Sequence, residues 1–442
     1  MVYHLIPKTH RSIKKIFLIF SNFIFYFSLN TILPFLLLLS TSLDYFLFQK
    51  MRTNKANKKA FLLLGITINL LPLLLIKLIN DFDLWSSPFI GITVSTDLAI
   101  PIGISFYSFK SISCLIDSYN KPSESPENFL DYLMYLSFFP ELLCGPISRF
   151  SSFKHNLRLP TPTKNDLGNA LIMISRGLFY KIVIANTFLT FIDSRIFNTD
   201  KTIIDSLILG YITVLQVYFD FSGYTEIAKG TAKLFGMKIS DNFKYSFLTT
   251  NIADFWRRHH ISMSTWFRDY VFIPLSFRLK QRSRIIIIIF TTIITFTLSG
   301  IWHGFTKGAL IFGLTQGILL SIYTLIAPKV RPLSKKYKIS FNILGWGIVS
   351  VIQSISFSYL LLSTRQIKAL LSFSLEASMS SHMKTPLFLL ILTLMFSYLI
   401  TRKDGEYKDW WEKSPGFLIA GTMLTLVILF KGKDLPFIYY QF

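Results

Sequence analysis

The sequence predicts an all-α protein that crosses a membrane many times, and three observations carry that prediction. Apolar blocks recur from one end of the 442 residues to the other. Hydrophobic residues make up 51% of the chain against 16% charged, with a mean hydropathy of +0.48. Lys and Arg sit between the apolar blocks rather than within them. A soluble chain carries about a quarter charged residues, and one helical crossing takes ~20 mostly apolar residues. Nothing reads as a separate soluble domain, so residues 1–442 are expected to form a single integral membrane domain.

In chain order the blocks are Ile16–Phe27 and Ile32–Phe48, a tight pair, then Ala60–Ile79, Leu98–Ile116, Phe129–Leu143, Ala170–Phe191 and Ile203–Phe221. After a long polar interval come Ile285–Ile301, Leu310–Ile326, Phe341–Leu362, Pro386–Ile400 and Phe417–Phe430. Several are short for a ~30 Å hydrocarbon core, so some are re-entrant candidates. The basic start (His4, Lys8, His10, Arg11, Lys14, Lys15) followed by an apolar run resembles a signal peptide. No small-x-small cleavage site follows it, and the segment reads as the first retained span. Lys8–Lys15 and the run Lys50, Arg52, Lys55, Lys58 and Lys59 flank the first pair and place both its ends in the cytoplasm. The next block then leads out to an acidic loop with Asp81, Asp83 and Trp85.

The net charge of +22 would suggest nucleic acid in a soluble protein. Between membrane spans the cytoplasmic bias of Lys and Arg explains it without a nucleic-acid partner. Two cysteines, Cys114 and Cys144, build neither a disulfide framework nor a cysteine-rich metal site.

The stretch Lys229–Arg284 stands apart. It holds eleven basic residues against Asp241, Asp254 and Asp269. Asn251 is placed to cap a helix with Asp254 in its first turn. In a continuous helix Trp256, His260, Met263 and Phe267 form one apolar-aromatic stripe, and Arg257, Ser264 and Arg268 adjoin it as a polar one. Two readings fit: an amphipathic helix in the cytoplasmic interface, or a basic platform for a phosphate-bearing ligand. No metal site is predicted, since the adjacent His259 and His260 cannot both face one ion from a regular helix.

His303 closes the nearly uncharged block Ile285–Ile301, within Ser299-Gly300-Ile301-Trp302-His303-Gly304. An ionisable residue at membrane depth is a functional candidate by default; an interfacial histidine held by a carbonyl is the alternative. Acylating a hydroxyl requires removal of its proton as oxygen attacks a thioester, and a neutral imidazole suits that task near pH 7. Gly300 and Gly304 would allow close approach of backbone or substrate.

Asp254-Phe255-Trp256-Arg257-Arg258-His259-His260-Ile261-Ser262-Met263-Ser264-Thr265-Trp266-Phe267-Arg268-Asp269-Tyr270, followed by Ile273-Pro274-Leu275, closely resembles the signature of the membrane-bound O-acyltransferase (MBOAT) superfamily, nearest to its bacterial alginate O-acetylation branch. Pro101–Phe106, Phe138-Phe139-Pro140 through Gly145-Pro146-Ile147, Tyr218–Tyr224 and the terminal Phe437–Phe442 agree with it, so the resemblance covers nearly the whole chain. It implies a ring of about 11–12 transmembrane and re-entrant helices around a thin centre, with a cytoplasmic tunnel meeting an extracytoplasmic funnel near His303. It implies acetyl transfer from cytoplasmic acetyl-CoA, with no permanently bound cofactor, in the bacterial cytoplasmic (inner) membrane. The acetyl group would pass to an extracytoplasmic acetyltransferase partner and a glycan acceptor, polysaccharide or peptidoglycan. His303 and His260 would be catalytic, while Trp256, Arg257, Arg258 and Arg268 would contact the donor. His259 stands where the branch usually has Trp, and Ser276-Phe277-Arg278 replaces a glycine-bearing turn. D-alanyl transfer from a carrier-protein thioester is the alternative within the family, although Arg257-Arg258 favours acetylation. A transporter or flippase is the alternative outside it.

Overall fold

The computed structural model describes residues 2–7, 9–86, 103–374, 391 and 416–430. Pro101-Ile102, nearly all of the block Pro386–Ile400 and the terminal stretch Phe437–Phe442 lie outside them. The regular structure of the described residues is helical, apart from one isolated parallel bridge between Thr202 and Ser374. In order the main helices are α1 (Arg11–Leu29), α2 (Leu33–Thr53), α3 (Lys58–Ser86), α4 (Ile104–Asn120), α5 (Phe129–Ser137), α6 (Lys164–Arg195) and α7 (Ile203–Leu234). The signature segment holds three short ones, α8 (Ile252–Arg258), α9 (Ile261–Phe267) and α10 (Ile273–Arg278). Then come α11 (Arg284–His303), α12 (Lys307–Lys336), α13 (Lys338–Leu361), α14 (Thr364–Leu371) and α15 (Gly416–Leu429). Among the described residues seven helices are long and apolar enough to cross a membrane: α1, α6, α7, α11, α13 and the apolar parts of α3 and α12. The protein is an all-α, multi-pass membrane protein.

Three elements depart from expectation. The block Phe129–Leu143 is not one helix: α5 stops at Ser137, Phe138 turns out to ψ 102°, and Pro140 sits in the first turn of a new four-residue helix. Proline is tolerated there because first-turn N–H groups have no intrahelical partner. The acidic loop assigned to Asp81, Asp83 and Trp85 is instead the last turn and a half of α3. Helix α7 continues past Phe221 to Leu234, so Lys229 and Lys233 belong to a helix end rather than to a polar interval.

The chain divides into two compact units, one of residues 1–174 and 224–241, the other of 175–223 and 242–441. In the first, buried charge is met by buried partners. Asp44 is wholly buried, and its carboxylate accepts from Asn69 Nδ2 at 2.8 Å, from the Tyr132 hydroxyl at 3.2 Å and from Ser111 Oγ. Lys110 Nζ lies 2.8 Å from Glu141 Oε2 and donates to the Tyr135 carbonyl at 2.6 Å, while Ser148 Oγ donates to the other Glu141 oxygen. An unpaired charge in such surroundings would cost several kcal/mol, so the Pro140–Ile147 stretch is held by this pair. Gly103 caps α4 at φ 85°, and a Cβ there would stand 2.5 Å from the Leu142 carbonyl oxygen. Only glycine meets both demands.

In the second unit α11 and α12 run antiparallel in close contact. A Cβ on Gly300 would meet the Ala309 carbonyl at 2.3 Å, and one on Gly313 would meet that of Phe296 at 2.5 Å. Of the two close approaches expected at Gly300, backbone or substrate, the structure shows the backbone one, where α11 meets α12. Gly304 is ordinary extended backbone, φ 171°. Asp220 of α7 pairs with Lys181 of α6, both nearly buried. The sequence from Tyr270 to Leu375 contains no acidic residue. Its basic residues include Arg278, Lys280, Arg282 and Arg284 before or at the start of α11, and Lys329, Arg331, Lys335, Lys336 and Lys338 at the junction of α12 and α13.

Candidate active site

All six candidate residues lie in the second unit: Trp256, Arg257 and Arg258 on α8, His260 and Arg268 immediately before and after α9, and His303 at the end of α11. Helix α8 begins as the sequence predicts: the Asn251 side chain accepts from the Asp254 N–H at 2.8 Å, and Asp254 stands in the first turn. The expected continuous helix through His260 is not formed. α8 ends at Arg258, His259 is extended (φ −109°, ψ 125°), and His260 is left-handed (φ 44°, ψ 54°) before α9 begins at Ile261. Residues 242–244 explain the break. The Asn242 carbonyl accepts from Ile261 N–H at 2.9 Å, and the Arg258 carbonyl accepts from Lys244 N–H at 2.9 Å. Backbone groups released from one helix are thus taken up by a passing strand of chain. A left-handed non-glycine residue costs on the order of 1–3 kcal/mol and persists only where its surroundings over-determine it.

The stripe survives the break. Trp256, His260, Met263 and Phe267 are all buried, and Arg257, Arg258 and Arg268 are exposed. Trp256 donates its indole N–H to Gln316 Oε1 of α12 at 2.9 Å, and Gln316 Nε2 reaches Gln353 of α13 at 3.0 Å. Its ring stands edge-on to Phe296, 4.9 Å between centroids. The structure thus places Trp256 as a core pin joining α8 to α12. Arg257 and Arg258 both reach Asp254, at 3.4 and 3.0 Å, and Arg268 reaches Asp269 at 2.8 Å. Exposed pairs of this kind contribute ~0–1 kcal/mol each, so the guanidinium groups are placed at the surface and lightly held.

The two histidines of interest are brought together with an aromatic wall. The ring of Trp302 lies 4.6 Å from that of His303 and 6.1 Å from that of His260. Phe312 stands edge-on to His303 at 6.2 Å, and Phe221 edge-on to His260 at 4.7 Å. His303 and His260 are 9% and 2% exposed, so both imidazoles are screened from bulk water. Burial pulls the basicity of His260 well below the ordinary histidine value, and the neighbouring His259 and His303 pull it further. His259, stacked 4.7 Å from Phe255 with its Nδ1 at 3.0 Å from Ser246 Oγ, is pushed down by burial to about 3. Neutral imidazoles can take up a proton, so the arrangement suits removal of a proton from an attacking hydroxyl.

Sequence reasoning did not single out Asn242, Ser262, Gln316 or Gln353. Asn242 lies eighteen positions before His260 in an unmarked Asp241-Asn242-Phe243 stretch, and no local spacing ties the two. Gln316 carried a readable signal: a polar side chain inside the apolar block Leu310–Ile326, which must find a partner there.

Residues 94–362 match the family model for the membrane-bound O-acyltransferase family. The chain is 32% identical over 255 residues to "Probable alginate O-acetylase" of Pseudomonas syringae pv. tomato, covering 58% of this chain and 48% of that protein. It is 32% identical over 350 residues to "Peptidoglycan O-acetyltransferase" of Helicobacter pylori, covering 70% and 64%. With "Teichoic acid D-alanyltransferase" of Bacillus subtilis it shares 31% identity over 248 residues, covering 54% and 61%. The matched stretch spans about half the length of the alginate relatives. Because the family model covers well over half of this chain and takes in the signature, both histidines and the aromatic wall, the chain belongs to the membrane-bound O-acyltransferase family.

Proposed function

We propose that the protein is a transmembrane O-acetyltransferase, taking acetyl from cytoplasmic acetyl-CoA and delivering it to an extracytoplasmic hydroxyl, either of a partner acetyltransferase or directly of a glycan. The observation that carries the reading is the pairing of buried His303 and His260 around Trp302 inside a family-matched stretch. The acetyl assignment is supported by relatives named for O-acetylation. His303 removes the proton from the acceptor hydroxyl as its oxygen attacks the thioester carbonyl. The C–S bond breaks, the acetyl–oxygen ester forms, and the proton taken up by His303 returns to the departing thiolate. His260 supports that exchange from beside Trp302. Arg257, Arg258 and Arg268, basic and exposed, are the groups available for donor phosphates, and Trp256 fixes the helix that carries the first two. The cytoplasmic (inner) membrane is the compartment in which such a donor and acceptor face opposite sides.

Purified protein in nanodiscs, given acetyl-CoA labelled on the acetyl group, should release free CoA when the extracytoplasmic acceptor fraction is present. Label appearing only with D-alanyl-loaded carrier protein would replace acetyl by D-alanyl as the transferred group. No turnover with either donor, while an unreactive substrate moved across vesicles, would overturn the enzyme reading in favour of transport.

A further inference from the structure

The side chain of Asn242 gathers three donors on one oxygen. Oδ1 lies 3.0 Å from the backbone N of Ser262, 2.9 Å from Ser262 Oγ and 3.3 Å from His260 Nδ1. Of these the Ser262 N–H decides the rest. A backbone N–H can only donate, so the amide atom facing it must be the oxygen, and the amide cannot be flipped. The same oxygen faces His260 Nδ1 and has no hydrogen to give, so the hydrogen between them must sit on Nδ1. A neutral imidazole carries one N–H. Its lone pair is then on Nε2.

We infer that Asn242 is a positioning residue that locks His260 as the Nδ1–H tautomer, so that this histidine presents an acceptor, never a donor, at Nε2. The inference rests on the acetyl-transfer reading only for its catalytic meaning; the tautomer itself stands apart from any reaction. Two features make the lock rigid. Asn242 is wholly buried, and its backbone carbonyl binds Ile261 N–H at 2.9 Å, so backbone and side chain of one residue hold the left-handed His260 and the two residues that follow it. The Asn242 Nδ2 has no acceptor among the described residues. The amide therefore acts here through its oxygen. An imidazole bonded through Nδ1 to an acceptor is also turned in a fixed direction, as the acceptors behind metal-bound histidines turn those rings.

The experiment reads the ring nitrogens directly. Protein labelled with ¹⁵N-histidine is placed in detergent micelles, and the His260 signals among the seven histidines are assigned by loss in His260→Gln. The wild type should show a protonated Nδ1 and an unprotonated Nε2 at neutral pH. In Asn242→Asp the acceptor oxygen remains, so the tautomer should persist, while the added carboxylate beside the ring moves its protonation to higher pH. The titratable groups facing His260 in that measurement are His259 and His303, and both are also ¹⁵N-labelled. In Asn242→Leu the Nδ1 preference should be lost. Should that variant fail to fold, the wild type and Asn242→Asp decide the matter alone. A protonated Nε2 in the wild type, or an Nδ1–H tautomer that persists in folded Asn242→Leu, overturns the inference. Under acetyl transfer, Asn242→Asp should move the acid limb of the rate profile to higher pH with the KM for acetyl-CoA unchanged. Absence of acetyl transfer in the wild type defeats the proposed function and leaves the tautomer result standing.

Discussion

At the residue scale the site is a set of buried imidazoles, and burial lowers the basicity of His259 and His260. His303→Ala should lower acetyl transfer by roughly 10²–10⁴-fold, the range that a positioned base contributes, while insertion and expression stay normal. His303→Gln should do the same, because its amide offers hydrogen bonds but no basic nitrogen; an active, folded His303→Ala variant sinks the role. His259 gives a pH prediction with a definite sign. Its folded value is about 3 against an ordinary 6.5, so between those limits the unfolded chain binds a proton that the folded chain refuses. Stability is fully present above pH 6.5 and falls as pH drops towards 3. His259→Phe, keeping the stack on Phe255, should flatten that acid fall in the thermal midpoint of the solubilised protein; an unchanged slope would show that His259 is not its source. At this scale the sequence was half legible. His303 announced itself as an ionisable group ending an apolar block. Asn242 did not, because its bond to His260 joins positions that only the tertiary fold brings together.

At the element scale the signature segment shows what periodicity can and cannot deliver. The 4, 3, 4 spacing of Trp256, His260, Met263 and Phe267 assigned one buried face correctly, yet the helix it presumed is broken at His259 and His260. The break was invisible because it is made by hydrogen bonds to residues 242–244, a partner distant in sequence. The N-cap at Asn251 was readable for the opposite reason, being purely local. Two measurements probe the segment. Gln316→Leu leaves the Trp256 indole N–H buried without its acceptor, and should destabilise the solubilised protein by ~1–3 kcal/mol; an unchanged midpoint would show that α8 is held by packing alone. Arg257→Lys and Arg258→Lys keep the charge near Asp254 but lose the planar fork that pairs with phosphate. If the arginines take the donor, the KM for acetyl-CoA rises severalfold while the midpoint stays put. Parental kinetics in both variants would assign them to anchoring the helix at the lipid interface instead.

At the scale of the whole molecule, the apolar blocks gave the fold class and the order of the long helices, since helix length and hydropathy are properties of contiguous residues. They missed the interruption at Phe138 and the extension of α7 to Leu234, where a proline and a few charges decide against the hydropathy average. Orientation is open to direct measurement: a cysteine placed at Lys233 or Arg282, in a variant lacking Cys114 and Cys144, should resist an impermeant thiol reagent added to intact cells. Ready labelling would reverse the assignment of the donor side. The acid-free run from Tyr270 to Leu375 bears on the same question through the membrane potential. Since α11 and α12 are antiparallel, Arg278, Lys280, Arg282 and Arg284 lie at the same end of the hairpin as Lys329, Arg331, Lys335, Lys336 and Lys338. Carrying those nine positive charges outward against an inside-negative potential of 100 mV would require on the order of 20 kcal/mol, at ~2.3 kcal/mol per charge. With that end on the cytoplasmic side, an energised membrane would act as an electrical latch on the hairpin, opposing its passage outward for as long as the potential is maintained.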